Sequence, residues 1–236
     1  MSAVISTVKL HLNRRRQVFL VPVWIGIIVG LISVIIALIF WRGGSQPGST
    51  DWIQGSQSNP AIIYALGGFL TYLGVVSTSS HYPFALALGS TRRAFVAGTF
   101  LYQAVIAAYV AIVFLAFGVI EAATNHWFVG FYAFDIYALG AGDPWRLLTI
   151  VFLGVFVFLA IGSVFAAAWV RYGVRGPQLL AIGLIVVTGL VIAIIVPEFG
   201  AIITAFQLWW LAIAAGVIIL LASLGTWLFL RAAIIR

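Results

Sequence analysis

Apolar residues in this chain come in long blocks separated by short polar breaks. Six stretches carry almost no charge: Gln17 to Trp41, Ala61 to Ser80, Phe95 to Ile120, Leu147 to Val170, Gln178 to Val196, and Gln207 to Leu230. Roughly 20 mainly apolar residues in a helix cross the ~30 Å hydrocarbon layer of a bilayer. Each stretch therefore predicts a transmembrane helix. The first is too long for the apolar region of a cleaved signal peptide, and no small-residue cleavage site follows it, so it reads as an anchored first helix.

The polar segments predict the rest. Residues 1–16 form a basic lead in which Met1, Ile5, Val8 and Leu12 recur at helical spacing, as an interfacial helix requires. Val8 to Asn13 also alternates like a strand. An open strand edge has no partner in the interface, which favours the helix; a disordered tail that only sets topology is the alternative. The connection from Arg42 to Pro60 is rich in Gly, Ser and Gln and reads as flexible. The connection from Ala122 to Trp145 carries Trp127, Phe128, Phe131, Tyr132, Phe134 and Tyr137, rings suited to the headgroup layer. The link around Pro197 to Gly200 is short, so the last two spans read as a hairpin.

Composition agrees with that pattern. Of 236 residues, 64% are hydrophobic and 7% charged, where a soluble domain carries about 25% charged residues. The expected fold is an all-α integral membrane protein, a single transmembrane domain over residues 1–236. No cysteine is present, which excludes disulfides, thiolate metal sites and cysteine nucleophiles. The net charge of +7 is scattered in short runs between apolar blocks rather than gathered on one face, so it does not read as a nucleic-acid surface.

The placement of those charges orients the chain. With the N-terminus in the cytoplasm, the inner segments hold Lys9, Arg14, Arg15, Arg16, Arg92, Arg93, Arg171, Arg175, Arg231 and Arg236, and no acid. The outer segments hold Asp51, Glu121, Asp135, Asp143 and Glu198, with Arg42 and Arg146. Retention of Lys and Arg on the cytoplasmic side orients helices during insertion. The expectation is six spans with both ends inside.

Chemistry is sparse. There is no Walker A loop (the one lysine, Lys9, follows no glycine-rich turn), no G-x-S-x-G elbow and no H-E-x-x-H pair. His11, His81 and His126 lie on three segments assigned to two sides of the membrane, and are expected as interfacial residues rather than ligands. Glu121 and Glu198 are expected to snorkel at span ends. No ionisable residue falls mid-span, where each costs at least roughly 2.5 kcal/mol, which argues against a proton- or sodium-coupled pump. The mid-span polar groups include Thr71, Tyr72, Tyr102, Gln103, Tyr109, Ser163, Thr188 and Ser223. Helix-to-helix hydrogen bonding is their default role. Tyr72, Tyr102, Gln103 and Tyr109 are candidates to line a substrate pathway, which would be apolar and aromatic and would suit a lipophilic or amphiphilic substrate. Gly26 and Gly30 in the first span, and Gly67-Gly68 in the second, permit close backbone packing.

The most distinctive segment joins the second and third spans: His81-Tyr82-Pro83-Phe84-Ala85-Leu86-Ala87-Leu88-Gly89-Ser90-Thr91-Arg92-Arg93-Ala94-Phe95. Proline suits the first turn of a helix, Gly89 is placed to end that helix in a left-handed conformation, and Ser90 or Thr91 can cap the next. Arg92 and Arg93 then fall in a first turn, where the helix dipole disfavours cations by about 0.3–1 kcal/mol each. Topology, lipid phosphates or a partner must favour them.

Leu86 to Phe95 resembles the A-L-G-x-S/T-R-R-x-F pattern between the second and third helices of ABC-2-type permeases, the membrane subunits of ABC transporters whose ATPase is a separate chain. Six spans, a basic N-terminal lead and no nucleotide site agree with that family along the whole chain. The resemblance implies an ABC-2-like bundle in a bacterial plasma membrane, working as a homo- or heterodimer with two copies of a cytoplasmic ATPase. It implies that Tyr82, Pro83, Phe84, Leu86, Gly89, Arg92 and Arg93 belong to a short coupling helix and its turn, docked on the ATPase. It also places the first span, with Gly26 and Gly30, at the dimer interface. On this reading the chain is not an enzyme and binds no cofactor; ATP and Mg²⁺ belong to the partner, and transport is outward. The last outer connection is shorter than the re-entrant hairpin of many such permeases. The alternative is a secondary transporter or a non-catalytic membrane scaffold.

Overall fold

The computed structural model describes residues 3–13, 15–205 and 207–233. Met1 of the apolar stripe and Arg14 and Arg236 of the charge pattern lie outside them. The chain is 85% helix, with no strand among the described residues. In order it forms α1 (Ala3–Leu12), α2 (Val21–Arg42), α3 (Thr50–Gln57), α4 (Ala61–Ser79), α5 (His81–Ala87), α6 (Arg92–Ala123), α7 (Pro144–Tyr172), α8 (Arg175–Ile195), α9 (Phe199–Ala205) and α10 (Trp209–Arg231). Six of the helical stretches, those containing α2, α4, α6, α7, α8 and α10, are long and apolar enough to cross a membrane. These are the six expected.

The chain divides into two compact units. Unit 1 comprises Met1–His11, Thr71–Leu101 and Leu159–Arg236; unit 2 comprises Leu12–Leu70 and Tyr102–Phe158. Within a bilayer the hydrophobic effect does not drive helices together, so packing and hydrogen bonds must. Unit 1 shows how. A Cβ built on Gly74 of α4 would run into the Leu159 carbonyl oxygen of α7, and one on Gly162 into the Thr71 carbonyl oxygen. Ser163 Oγ donates to the Gly74 carbonyl at 3.3 Å across the same crossing. We therefore expect Gly162→Ala to force two backbones apart and to cost roughly 1–3 kcal/mol. Gly154→Ala on the same helix meets open space and should be neutral or mildly stabilising, since alanine is the better helix former. Thermal unfolding of the two variants in detergent checks this.

Unit 2 packs glycine against aromatic rings. A Cβ on Gly26 would lie 2.6 Å from Phe117, and one on Gly30 within 4 Å of Phe134 and Trp127. Phe117 stacks on Phe134 at 5.0 Å, and Phe114 meets Phe134 edge-on at 5.7 Å. This corrects the expectation for the first span: the Gly26/Gly30 face is filled by the chain's own rings and is not open to a second protomer. At the start of that span Pro22 has no N–H to donate, and the turn before it, Arg16–Leu20, is a widened π-helical one. Tyr109 donates to the Phe19 carbonyl there at 2.9 Å.

Three connections depart from the sequence reading. The stretch expected to be flexible contains α3, whose N-terminus is capped by Ser49 Oγ accepting from the Trp52 N–H at 3.3 Å. Trp52 anchors it, buried, with its indole N–H donating to the Gly130 carbonyl at 2.8 Å. The aromatic connection after α6 is only partly at the surface: Phe134 and Ile136 are fully buried, whereas Phe128 is 85% exposed. The link expected as a bare hairpin turn holds α9.

Candidate functional site

α1 docks in unit 1 on a face centred away from its apolar stripe. Thr7 and His11, one helical turn apart, are buried, while Ile5 of the apolar stripe is exposed. The contact is close: a Cβ on Gly98 would lie 2.6 Å from Thr7 Cβ.

His11 makes the contact specific. Thr99 Oγ1 donates to the Phe95 carbonyl at 2.9 Å, so it accepts from His11 Nε2 at 3.0 Å. The other nitrogen, His11 Nδ1, stands 2.7 Å from His81 Nδ1 and accepts its proton. Two of the three histidines, both assigned to the inner side, thus meet between α1 and α5. Burial first, then His81, lowers the His11 pKa to about 3 from 6.5. With the folded value depressed, undocked His11 binds more protons than docked His11 below pH 6.5. Docking is then weakened by up to about 1.4 kcal/mol per pH unit as pH falls from 6.5 towards 3. We expect α1 amide protection, corrected for intrinsic exchange rate, to drop between pH 7 and pH 5. His11→Gln should remove that dependence.

Beside α1 lies the segment with the sequence motif. α5 runs from His81 to Ala87 with Pro83 in its first turn, Gly89 follows at φ +83°, and Thr91 Oγ1 accepts from the Ala94 N–H at 3.2 Å to cap α6. The seven expected docking residues divide by exposure. Phe84 is 53% exposed, and Pro83, Gly89 and Arg93 are also at the surface. Tyr82 and Leu86 turn inward, Tyr82 fully buried against Phe95 at 5.2 Å and Leu86 packed on the same cluster. These two support the segment from within instead of presenting a surface.

Tyr82 and Arg92 close the end of α10. A helix leaves its last four carbonyls without intrahelical donors. Arg171 donates to the Leu228 carbonyl at 3.3 Å, the Ala232 N–H to Phe229 at 3.3 Å, Tyr82 Oη to Leu230 at 2.8 Å, and Arg92 to Arg231. Arg92 disfavours the dipole of its own helix but complements the negative end of another. That accounts for one of the two arginines. Among the described residues Arg93 has no such carbonyl.

In unit 2 the missed residue is Glu121, at the end of α6. It is fully buried, and its carboxyl oxygens accept from the Trp127 indole N–H at 3.0 Å and from three consecutive backbone N–H groups, Ala133 at 3.1 Å, Phe134 at 2.8 Å and Asp135 at 3.2 Å. It does not snorkel. Nearby, His126 Nε2 meets Asp135 Oδ2 at 3.3 Å.

The expected pathway residues take separate positions. Tyr72 is half-exposed on α4, Tyr102 and Gln103 are fully buried, and Tyr109 is bonded to Phe19. None of the four borders the apolar cavity of about 90 Å³ in unit 2, which is lined by aliphatic and Phe side chains from α4, α6, α7 and the α6–α7 connection, including Ile62, Leu66, Phe114, Leu139, Val151 and Phe158. Among the described residues no group of three or more His, Cys, Asp or Glu could hold a metal ion. No family model, curated protein or solved structure matches this chain. The site with the most developed geometry is the α5–α6 turn, whose inner side is anchored by Tyr82, Arg92 and the α10 end and whose outer side shows Phe84, Leu88 and Arg93.

Proposed function

We propose that the chain is the permease subunit of an ABC-2-type ABC transporter, with six spans, both ends in the cytoplasm and a separate ATPase docking at the α5–α6 turn. The observation that carries this reading is the pairing of an exposed apolar tip with a rigid base. Phe84 and Leu88 are 53% and 69% exposed, while Tyr82 and Arg92 fasten the same turn to the end of α10. A load-transmitting surface needs both. ATP binding and hydrolysis in the partner then switch the spans between two access states, and this chain performs no covalent chemistry.

The proposed substrate is lipophilic or amphiphilic, exported from the cell. The unit 2 cavity supports this, since its aliphatic lining accepts an acyl chain and offers an ion nothing to replace its hydration. A second permease completes the transporter. With the Gly26/Gly30 face filled, α8 is one surface open to it or to lipid: none of its most apolar stretch is buried in the chain. Reconstitution tests the whole reading. Proteoliposomes holding this chain with its ATPase should move an amphiphile only with ATP. Transport by the chain alone, without nucleotide, would instead make it a secondary transporter.

A further inference from the structure

Unit 2 also carries a groove of about 450 Å³ bordered by the end of α2, the start of α3 and the loop after α6, with Trp41, Trp52, Asn125, His126, Phe128 and Tyr132 in its walls. Ligand sites commonly measure about 300–1,000 Å³ and combine apolar walls with a few polar groups. Both connections that form it, α2 to α4 and α6 to α7, lie on one face of the membrane in any six-span chain.

The walls are held in place. Trp52 is buried and fixed by its bond to the Gly130 carbonyl at 2.8 Å. Asn125, His126, Trp127 and Phe128 are four successive non-glycine residues with φ between 55° and 62°. L-residues pay roughly 1–2 kcal/mol each for that conformation, so it persists only where its surroundings impose it. Here Thr124 Oγ1 accepts from the Trp127 N–H at 3.2 Å, and Glu121 accepts from its indole N–H at 3.0 Å. Asn125, His126 and Phe128 of this turn face the groove.

The lining selects the ligand class. No wall residue is Lys, Arg, Asp or Glu, so a phosphate or a carboxylate finds no counter-charge. Trp41 is 57% exposed, and neither the Asn125 amide nor the Tyr132 hydroxyl is hydrogen-bonded within the described chain. A quaternary ammonium would use the rings and leave the amide and hydroxyl unused. A pyranose matches both, with C–H faces for the rings and a rim of hydroxyls for the polar groups.

We propose that this groove binds a neutral saccharide, free or as the headgroup of a glycolipid, with its C–H face on Trp41 beside Trp52 and its hydroxyls on Asn125, His126 and Tyr132. Binding here requires neither ATP nor an ATPase, so the site stands apart from the transport reading. The test uses the purified full chain in phosphatidylglycerol nanodiscs without nucleotide. Maltose is added and followed by saturation-transfer NMR; in separate discs monoglucosyl diacylglycerol replaces part of the lipid, and hydrogen exchange at 125–132 is followed. At least one probe should saturate the site. Trp41→Ala, and Asn125→Gly with Tyr132→Phe, should each weaken it at least about tenfold, as loss of a central aromatic or paired polar contact does. The first residue is exposed, and glycine and phenylalanine preserve the turn and ring at the others, so helicity should be unchanged. A response to maltose assigns a free sugar; a response to the glucolipid alone assigns a headgroup. Absence of both responses, binding unchanged in both variants, or equal displacement by phosphocholine would overturn the proposal.

Discussion

Glu121→Ala should unfasten the loop between α6 and α7 and lower the melting temperature of the purified protein by roughly 6–12 °C. The carboxyl group satisfies the N–H groups of Ala133, Phe134 and Asp135 and the Trp127 indole, at 2.8–3.2 Å. Removing it leaves buried donors without acceptors, at about 1–3 kcal/mol each before water enters. Allowing for that relief, about 3 kcal/mol is lost, and a protein of this size shifts by about 2–4 °C per kcal/mol. Alanine also removes what holds Trp127 in its left-handed turn, so exchange should quicken over 125–135. Glu121→Gln should fall between, because its amide keeps one acceptor oxygen but turns an NH₂ group towards N–H donors. A melting temperature unchanged in the alanine variant would show that the loop is held by its rings alone.

On the proposed reading, Phe84→Asp should leave the chain inserted and folded yet separate it from the ATPase. The ring is 53% exposed, so the chain itself loses little when it is replaced. A charge buried without a partner at a docking surface is costly, and truncation of a central aromatic anchor commonly costs 2 kcal/mol or more, about thirtyfold in affinity. Substrate-stimulated ATP hydrolysis should collapse together with co-purification. Leu86→Asp is the contrasting variant. Leu86 packs on the cluster of Tyr82, Phe95 and Leu230, so its replacement should reduce folded yield before it affects docking. Retention of both readouts in Phe84→Asp would remove the coupling assignment.

The spans were legible because lipid imposes one requirement on all of them, an uninterrupted apolar helix of sufficient length. The α5–α6 turn was legible too, since Pro83, Gly89 and Thr91 act on their immediate neighbours. What escaped were contacts set by distant residues. His11 and His81 are 70 positions apart, and no spacing rule links them. Glu121 sits on a span end, where sequence alone assigns snorkelling; its partners are mostly backbone N–H groups, which every segment possesses. α3 was hidden by its Gly/Ser/Gln composition and exists through the Ser49 cap and the Trp52 anchor. Gly26 and Gly30 announced close packing correctly, but small residues do not name their neighbour, which is the chain's own Phe117, Phe134 and Trp127.

The proposed transporter requires the α5–α6 turn to lie in the cytoplasm, where an ATPase can reach it. The chain contains no cysteine, so single cysteines report without background. They belong at exposed positions: Gln54 and Ala141 in the connections after the first and third spans, Leu88 and Val174 in those after the second and fourth. An impermeant thiol reagent added to intact cells should label Gln54→Cys and Ala141→Cys, and should label Leu88→Cys and Val174→Cys only after permeabilisation. Labelling of Leu88→Cys from outside intact cells would contradict the account.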